Sequence, residues 1–445
     1  GGPGWSNTGL IRVSGGTITM TGTFDQSTLG PFQYVAGTVN ASGTIANVGK
    51  TLALSADTGS WTLYSCTVAG GRVTAADGTQ LNASASDALG YSAQNYLSNG
   101  VILDTPLAIP AWSRMTVTGG LTVNRAVTLA GINNPQTSYL DFSGTQTLGG
   151  AGEVAFNTGN FNFLRPTDAG TLTIGPAITV RTGTGGGTVG NTPQDTAVIN
   201  QGTISAQTAG KSLSIAGAFT NAGTIEARNG ATVLITAPNV LSNLNAGTLT
   251  GGAWRAYAGS TVSFGSASVS TNDASVLLSG PGSSFPAVNS LALNRGDFTI
   301  TGGRDFSAPS FTNAGVLAVG AASDFSAPSF AETAGATTAL EVLGTGSEQF
   351  GQIAVTGPAT LAGTLSITLT AGFVPHPGDI FAILSAGSLG GSFSSIDQPT
   401  LDSGRFDVSY STTGVTLVFV PEPATALFPL AAGAMALIRT RRRHT

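Results

Sequence analysis

The chain has 445 residues, of which 63 are glycine, 9% are charged and 41% are hydrophobic, with a formal net charge of −5. Disorder is excluded, because it needs low hydrophobicity and high net charge. Nucleic-acid binding is excluded too: Lys50 and Lys211 are the only lysines, and there is no clustered basic footprint. Cys66 is the single cysteine, so an intrachain disulfide and any metal site built on thiolates are ruled out.

Thr, Ser, Ala, Gly and Asn stand where Lys and Glu usually do, which suits narrow, stacked β-structure with many tight turns and leaves long helices without their usual formers. The chain opens on Gly1 with no methionine or signal peptide. The expectation is that a secretory leader was removed or lies outside this sequence.

From the N-terminus onward, short alternating segments recur: Ala41-Ser42-Gly43-Thr44-Ile45, Leu121 to Leu129, Leu172-Thr173-Ile174 and Ser212-Leu213-Ser214-Ile215. Gly183 to Gly190 with Asn191-Thr192-Pro193 reads as a protruding loop. A true repeat follows. Asn200-Gln201-Gly202-Thr203-Ile204, Asn221-Ala222-Gly223-Thr224-Ile225, Asn245-Ala246-Gly247-Thr248-Leu249 and the variant Asn313-Ala314-Gly315-Val316-Leu317 start 21, 24 and 68 residues apart. Phe306-Ser307-Ala308-Pro309-Ser310-Phe311 recurs 19 residues later as Phe325 to Phe330.

Each unit reads as a turn plus a strand. Asn and Gly tolerate a left-handed corner, and Thr-Ile-x-Ala then alternates between two faces. A unit of about twenty residues is too short for a propeller blade and matches one coil of a solenoid. Residues 1–342 are therefore predicted to form a right-handed, single-stranded parallel β-helix of about sixteen coils, on the order of 75 Å long. Ile204, Ile225 and Leu249 are expected to form an interior ladder, with Asn200, Asn221 and Asn245 stacked at a corner. Low charge fits this design, because like charges stacked on successive rungs repel.

From 343 to 420 the strands alternate without the Asn-Gly corner, as in Ala359 to Leu369, Phe381 to Leu384, Phe406 to Tyr410 and Val415 to Phe419. A β cap is predicted here, because terminal coils of a solenoid need covering. Val355-Thr356-Gly357, Gly363-Thr364-Leu365 and Gly372 to Asp379 resemble the C-terminal module of autotransporter-like repeat proteins. Whether these strands continue the coil or form a small sandwich is left open by the sequence.

Residues 421–445 read as an address. Pro421-Glu422-Pro423 stops the preceding strand from running into a helix. An apolar run, 424–438, follows, and then Arg439, Arg441, Arg442 and Arg443. Those arginines resist crossing a bilayer and hold the C-terminus on the cytoplasmic side. The tail holds four arginines and one glutamate, leaving thirteen basic and twenty-one acidic residues and a net charge near −8 upstream. Fifteen residues of helix span roughly 22 Å against a hydrocarbon core of about 30 Å. The predicted transmembrane helix is short, kinked by Pro429, and suited to transient anchoring.

The order and spacing of these parts resemble the PEP-CTERM sorting signal of exported bacterial proteins. That resemblance implies recognition of Pro421, Glu422 and Pro423 by an exosortase-like membrane processing enzyme, with the arginines as the retention signal. It also implies passage through the inner membrane to the cell envelope or the outside.

A search for chemistry yields little. Asp305 and Asp324, 19 residues apart, are the best candidate carboxylate pair on neighbouring coils, and Asp273 and Asp297 are a weaker one; duplication as turn residues explains them more simply. His376, between Pro375 and Pro377 and near Asp379, reads as an exposed turn residue and not as the base of a serine nucleophile. Gly185 to Gly190 spells G-x-G-x-x-G, but no helix follows to receive a phosphate. Trp5, Trp61, Trp112 and Trp254 suit sugar stacking if exposed and core packing if not.

No catalytic residue, cofactor or metal is predicted. The expected protein is an exported, non-enzymatic structural or adhesive rod, with extracellular polysaccharide as its partner. The rival reading is a carbohydrate-active β-helix enzyme, a lyase or hydrolase. A groove lined by three or more charged side chains from adjacent coils would favour that rival.

Overall fold

Strict alternation sets the architecture. Ser113–Thr118 and Thr337–Val342 bury every second residue and turn the rest outward, as a strand with one face on a core must. In the computed structural model, which describes residues 4–85, 94–191, 195–370 and 372–421, these strands wind into an all-β parallel solenoid of about 15 turns. The only helices among the described residues are short 3-10 turns.

Register shows how the core is stacked. Val154, Val180, Ile204, Ile225, Trp254 and Val276 occupy one position on successive rungs, and each is 0–1% exposed. Burying such a side chain contributes roughly 1.5–3 kcal/mol, and the column repeats that gain at every rung.

Two members of the predicted ladders are displaced. Trp254, not Leu249, follows Ile225, and Leu249 instead pairs with Asn272. Asn245 is exposed, and the corner position beside Asn221 belongs to Asn243. The cause is local. Ala246 and Gly247 have φ of 47° and 78°, and Leu244–Asn245 pairs antiparallel with Leu249 and Thr248. Positive φ at both central residues makes a two-residue type I′ hairpin. The same five-letter motif thus folds as a hairpin here and as a coil corner at Asn200 and Asn221.

The corner glycines also act differently from the expectation. Gly202, Gly223 and Gly315 are not left-handed. A Cβ on Gly223 would lie 2.1 Å from the Gly202 carbonyl oxygen, and one on Gly315 would lie 2.2 Å from that of Gly296. Glycine is required because adjacent rungs touch backbone to backbone.

The glycine-rich segment expected to protrude is likewise a rung. Gly187–Gly190 pairs in register with strands on both sides, and Val189 falls between Leu164 and Ile215. A Cβ on Gly185 would sit 2.1 Å from the Gly159 carbonyl, so the glycines serve close packing. Thr192 and Pro193 lie outside the described residues.

Parallel pairing runs past residue 342. Thr364–Leu369 pairs with Thr337–Val342 on one side and Ser395–Asp397 on the other. Closure comes later: Gly414–Val420 is antiparallel to both Ile380–Gly391 and Arg405–Tyr410. Phe381, Phe406 and Phe419 fill the interior of this terminal hairpin. At the opposite end, the Gln26 amide donates to the Ala53 carbonyl at 2.9 Å and accepts from its N–H at 2.6 Å. It occupies the free edge of Thr51–Leu54 as a further strand would.

The predicted membrane segment, 424–438, lies outside the described residues. Among those described, no helix is long and apolar enough to cross a membrane.

Candidate functional site

On one outer face, rows of hydroxyl side chains run along the rod axis. Glu153, Thr179, Thr203 and Thr224 share one register position, and Ala155, Arg181, Ser205, Glu226 and Arg255 share another, two residues further along the same strands. Most of this face is Thr, Ser and Ala, but from Arg125 to Arg255 it collects four arginines and two glutamates. A shallow groove of about 570 Å³ lies there, lined by Asn124, Arg125, Glu153, Arg181 and Gln207.

Arg181 and Glu153 form a bidentate pair, with both nitrogen–oxygen distances at 2.6 Å. Hydrogen bonds from Arg181 hold the Glu153 carboxyl below its ordinary range despite partial burial. That carboxylate is ionised and clamped, which is unfavourable for a general acid. Two coils further on, Glu226 accepts from Ser205 at 2.8 Å and pairs with Arg228 at 2.5 Å. Arg228 in turn lies 4.8 Å from the centre of the Tyr257 ring. The guanidinium groups of Arg125 and Arg255 make no ion pair or hydrogen bond among the described residues. The groove therefore presents one free guanidinium, Arg125, and amides around one immobilised carboxylate, with Arg255 further along the same face.

A second charged cluster lies on another face. Asp141, almost fully buried, bonds Arg165 at 2.7 Å and sits 3.5 Å from Arg114. Both guanidiniums lie over Tyr139, which stacks on Phe163 at 5.1 Å. Its only carboxylate is covered by two cations, so this cluster reinforces the wall.

The residues singled out from the sequence behave as follows. Asp305 and Asp324 are neighbours on adjacent coils, and the Asp305 carboxylate accepts the Asp324 N–H at 3.0 Å. Burial, then Asp305 and Glu348, raise the Asp324 carboxyl. Asp273 is locked to Arg295 by bonds of 2.7 and 2.9 Å, and Asp297 is an exposed strand residue.

His376 has a side chain 83% exposed, with Nδ1 4.0 Å from Asp379. The Asp379 carboxylate accepts the His376 backbone N–H at 2.7 Å and closes a turn. Trp61 and Trp254 are fully buried, and Trp5 packs on Phe24 with its indole N–H bonded to the Thr21 carbonyl. Trp112 occupies a corner at φ 65°. Cys66 is buried in the core, and burial pushes its thiol up to about 12. Pro421 is the last described residue and is exposed. Glu422, Pro423, Arg439, Arg441, Arg442 and Arg443 lie outside the described residues.

Among the described residues, no cluster of three His, Cys, Asp or Glu side chains is arranged to hold a metal ion. The charged groove itself was not visible to a search for like residues one coil apart. Its signal is opposite charges at coil spacing: Glu153 and Arg181 are 28 residues apart, Asp141 and Arg165 24, and Asp273 and Arg295 22.

Neither a family model nor a curated protein matches the chain.

Proposed function

We propose that this protein is an exported, non-enzymatic structural or adhesive rod of the bacterial cell surface or extracellular matrix, wound as a right-handed β-helix. A parallel strand-to-strand connection is right-handed in about 98% of cases, which supports the winding. Sorting and processing run through Pro421, Glu422 and Pro423, with the apolar run and the arginines at 439 and 441–443 as a transient inner-membrane stop. Extracellular polysaccharide is the partner.

The observation that carries this reading is the stack of about 15 turns with outward rows of Thr, Ser and Ala. A stiff, weakly charged surface of that kind binds a second rod through many weak, repeated hydrogen bonds. In a glycan array run beside cleavage assays on the same polysaccharides, binding without release of reducing ends supports the rod. The mass of the mature protein checks the sorting step, and an intact tail on an exported form contradicts it.

One observation favours the rival reading of a carbohydrate-active enzyme. Arg125, Glu153 and Arg181 come from three successive coils and line one groove. Against it, the groove lining holds a single carboxylate, whereas glycoside hydrolysis uses two. Release of oligosaccharides that stops on Glu153→Gln would establish the enzyme.

A further inference from the structure

We infer that the face running from the groove at Arg125 along the rod to Arg255 is a binding site for an acidic polysaccharide, whose sugar carboxylates are held by the two unpaired guanidiniums while its hydroxyls meet the Thr row. This deepens the proposed function and rests on it.

Three observations point the same way. The exported body is acidic, with a net charge near −8, yet this stretch of wall carries four arginines, Arg125, Arg181, Arg228 and Arg255, against Glu153 and Glu226. An excess of two positive charges on an otherwise negative rod focuses anionic ligands onto this face.

Arg181 and Arg228 are each held by a glutamate, whereas Arg125 and Arg255 keep every guanidinium donor free. A free guanidinium presents two parallel N–H groups that match a carboxylate. The ground between them is hydroxyl and amide, Thr179, Thr203, Thr224 and Gln207, while Ser205 is buried and bonded to Glu226. Arg125 and Arg255 stand on coils five rungs apart, about 24 Å, so a ligand touching both ends of the site must be an extended polymer.

Charge density selects among polyanions. Duplex DNA carries one charge per about 1.7 Å, which two surplus cations cannot neutralise and which Glu153 and Glu226 would repel. A uronate chain carries one carboxylate per sugar ring, with neutral hydroxyls between. That sparse pattern suits isolated guanidiniums set among threonines.

The experiment uses the purified full chain and measures binding by calorimetry to oligogalacturonate, to neutral cello-oligosaccharide, to polyglutamate and to duplex DNA. The expected result is saturable binding of oligogalacturonate, weakened at least about tenfold in the Arg125→Gln/Arg255→Gln double variant and weakened again by added salt. Both residues lack partners, so an unchanged unfolding midpoint in the double variant shows that any loss is local.

Undiminished oligogalacturonate binding by the double variant, or binding of the neutral oligosaccharide alone, would overturn the site while leaving the glycan-binding rod intact. Failure of every glycan would overturn both readings. Equal, arginine-dependent binding of polyglutamate or DNA would remove the glycan assignment and leave a general anion surface.

Discussion

Two asparagine ladders run along the inner corner of the rod, and they end differently. In the later one, Asn272 donates to Asn294 at 2.8 Å and Asn294 to Asn313 at 2.9 Å, side chain to side chain. In the earlier one, Asn200 donates to Asn221 at 2.9 Å, but Asn243 meets the backbone N–H and carbonyl of Asn221 instead. The difference is the hairpin at Ala246-Gly247, which adds chain to that coil and breaks the register. An amide both donates and accepts, so it can pass a ladder on indefinitely, provided every coil brings its asparagine to the same height. The later ladder stops for a chemical reason: its next member is Glu332, which in register follows Asn313 and as a carboxylate only accepts.

The contrast is sharpest at glycine. Gly223 and Gly247 hold the same place in the same motif, yet only Gly223 has a neighbouring carbonyl where a Cβ would go. Gly223→Ala is expected to force two rungs apart and cost about 3 kcal/mol, the largest effect among these substitutions. Gly247→Ala meets a φ of 78° and should cost about 1–2 kcal/mol. Chemical denaturation of both variants tests the order, and an equal loss would mean that the corner works through conformation alone.

Asn294→Ala comes next. It removes an acceptor from Asn272 and a donor from Asn313, and with it the bond to the Val316 carbonyl at 2.8 Å. Leaving buried amides unpaired costs about 2–3 kcal/mol. Equilibrium unfolding reads this directly.

Much of this was legible in the residues themselves. The coil length, the interior position of Ile204 and Ile225, and the stacking of Asn200 on Asn221 follow from spacing and alternation. What escaped was anything set by a neighbouring coil. Asn245-Ala246-Gly247 is indistinguishable as a string from Asn221-Ala222-Gly223, and only the register of the flanking strands makes one a hairpin. Gly187 to Gly190 looked like a loop because glycine marks both turns and close backbone contact. The charged groove was hidden for the same reason, since Arg125, Glu153 and Arg181 follow one another at 28 residues, longer than the coil that the Asn-Gly repeat spells.

The terminus of the later ladder gives a pH-dependent prediction. Burial pushes the Glu332 carboxyl up to about 7, with Thr338 and Asn313 as its hydrogen-bond donors, and Oε2 has no partner. Its pKa is raised on folding, so its contribution is fully present below the ordinary glutamate value of 4.5. That contribution is lost as pH rises towards about 7, and is flat above. At about 1.4 kcal/mol per pH unit, the coil around Glu332 should lose on the order of 3 kcal/mol across that window. Tyr410 on the closing hairpin, raised by burial and by the Glu332 charge, ionises only above this range. Glu332→Gln should flatten the profile, measured as the denaturation midpoint at pH 5 and pH 8; a slope that survives the substitution assigns it elsewhere.

The smallest expected effect tests the comparison most directly. Asn245 shares its motif with Asn221, and a view of the rod based on repeats alone gives the two the same weight. Exposed beside a two-residue turn, Asn245 has no ladder neighbour on either side, so Asn245→Ala should change stability by less than about 0.5 kcal/mol. Asn221→Ala should cost several times more, because it takes the acceptor from the buried Asn200 amide and removes the donor to the Ala253 carbonyl. Equal losses at the two positions would place Asn245 back in the ladder and return the hairpin to a coil corner. A silent Asn245→Ala beside a costly Asn221→Ala shows that stability in this rod belongs to stacked rungs, whatever the local motif spells.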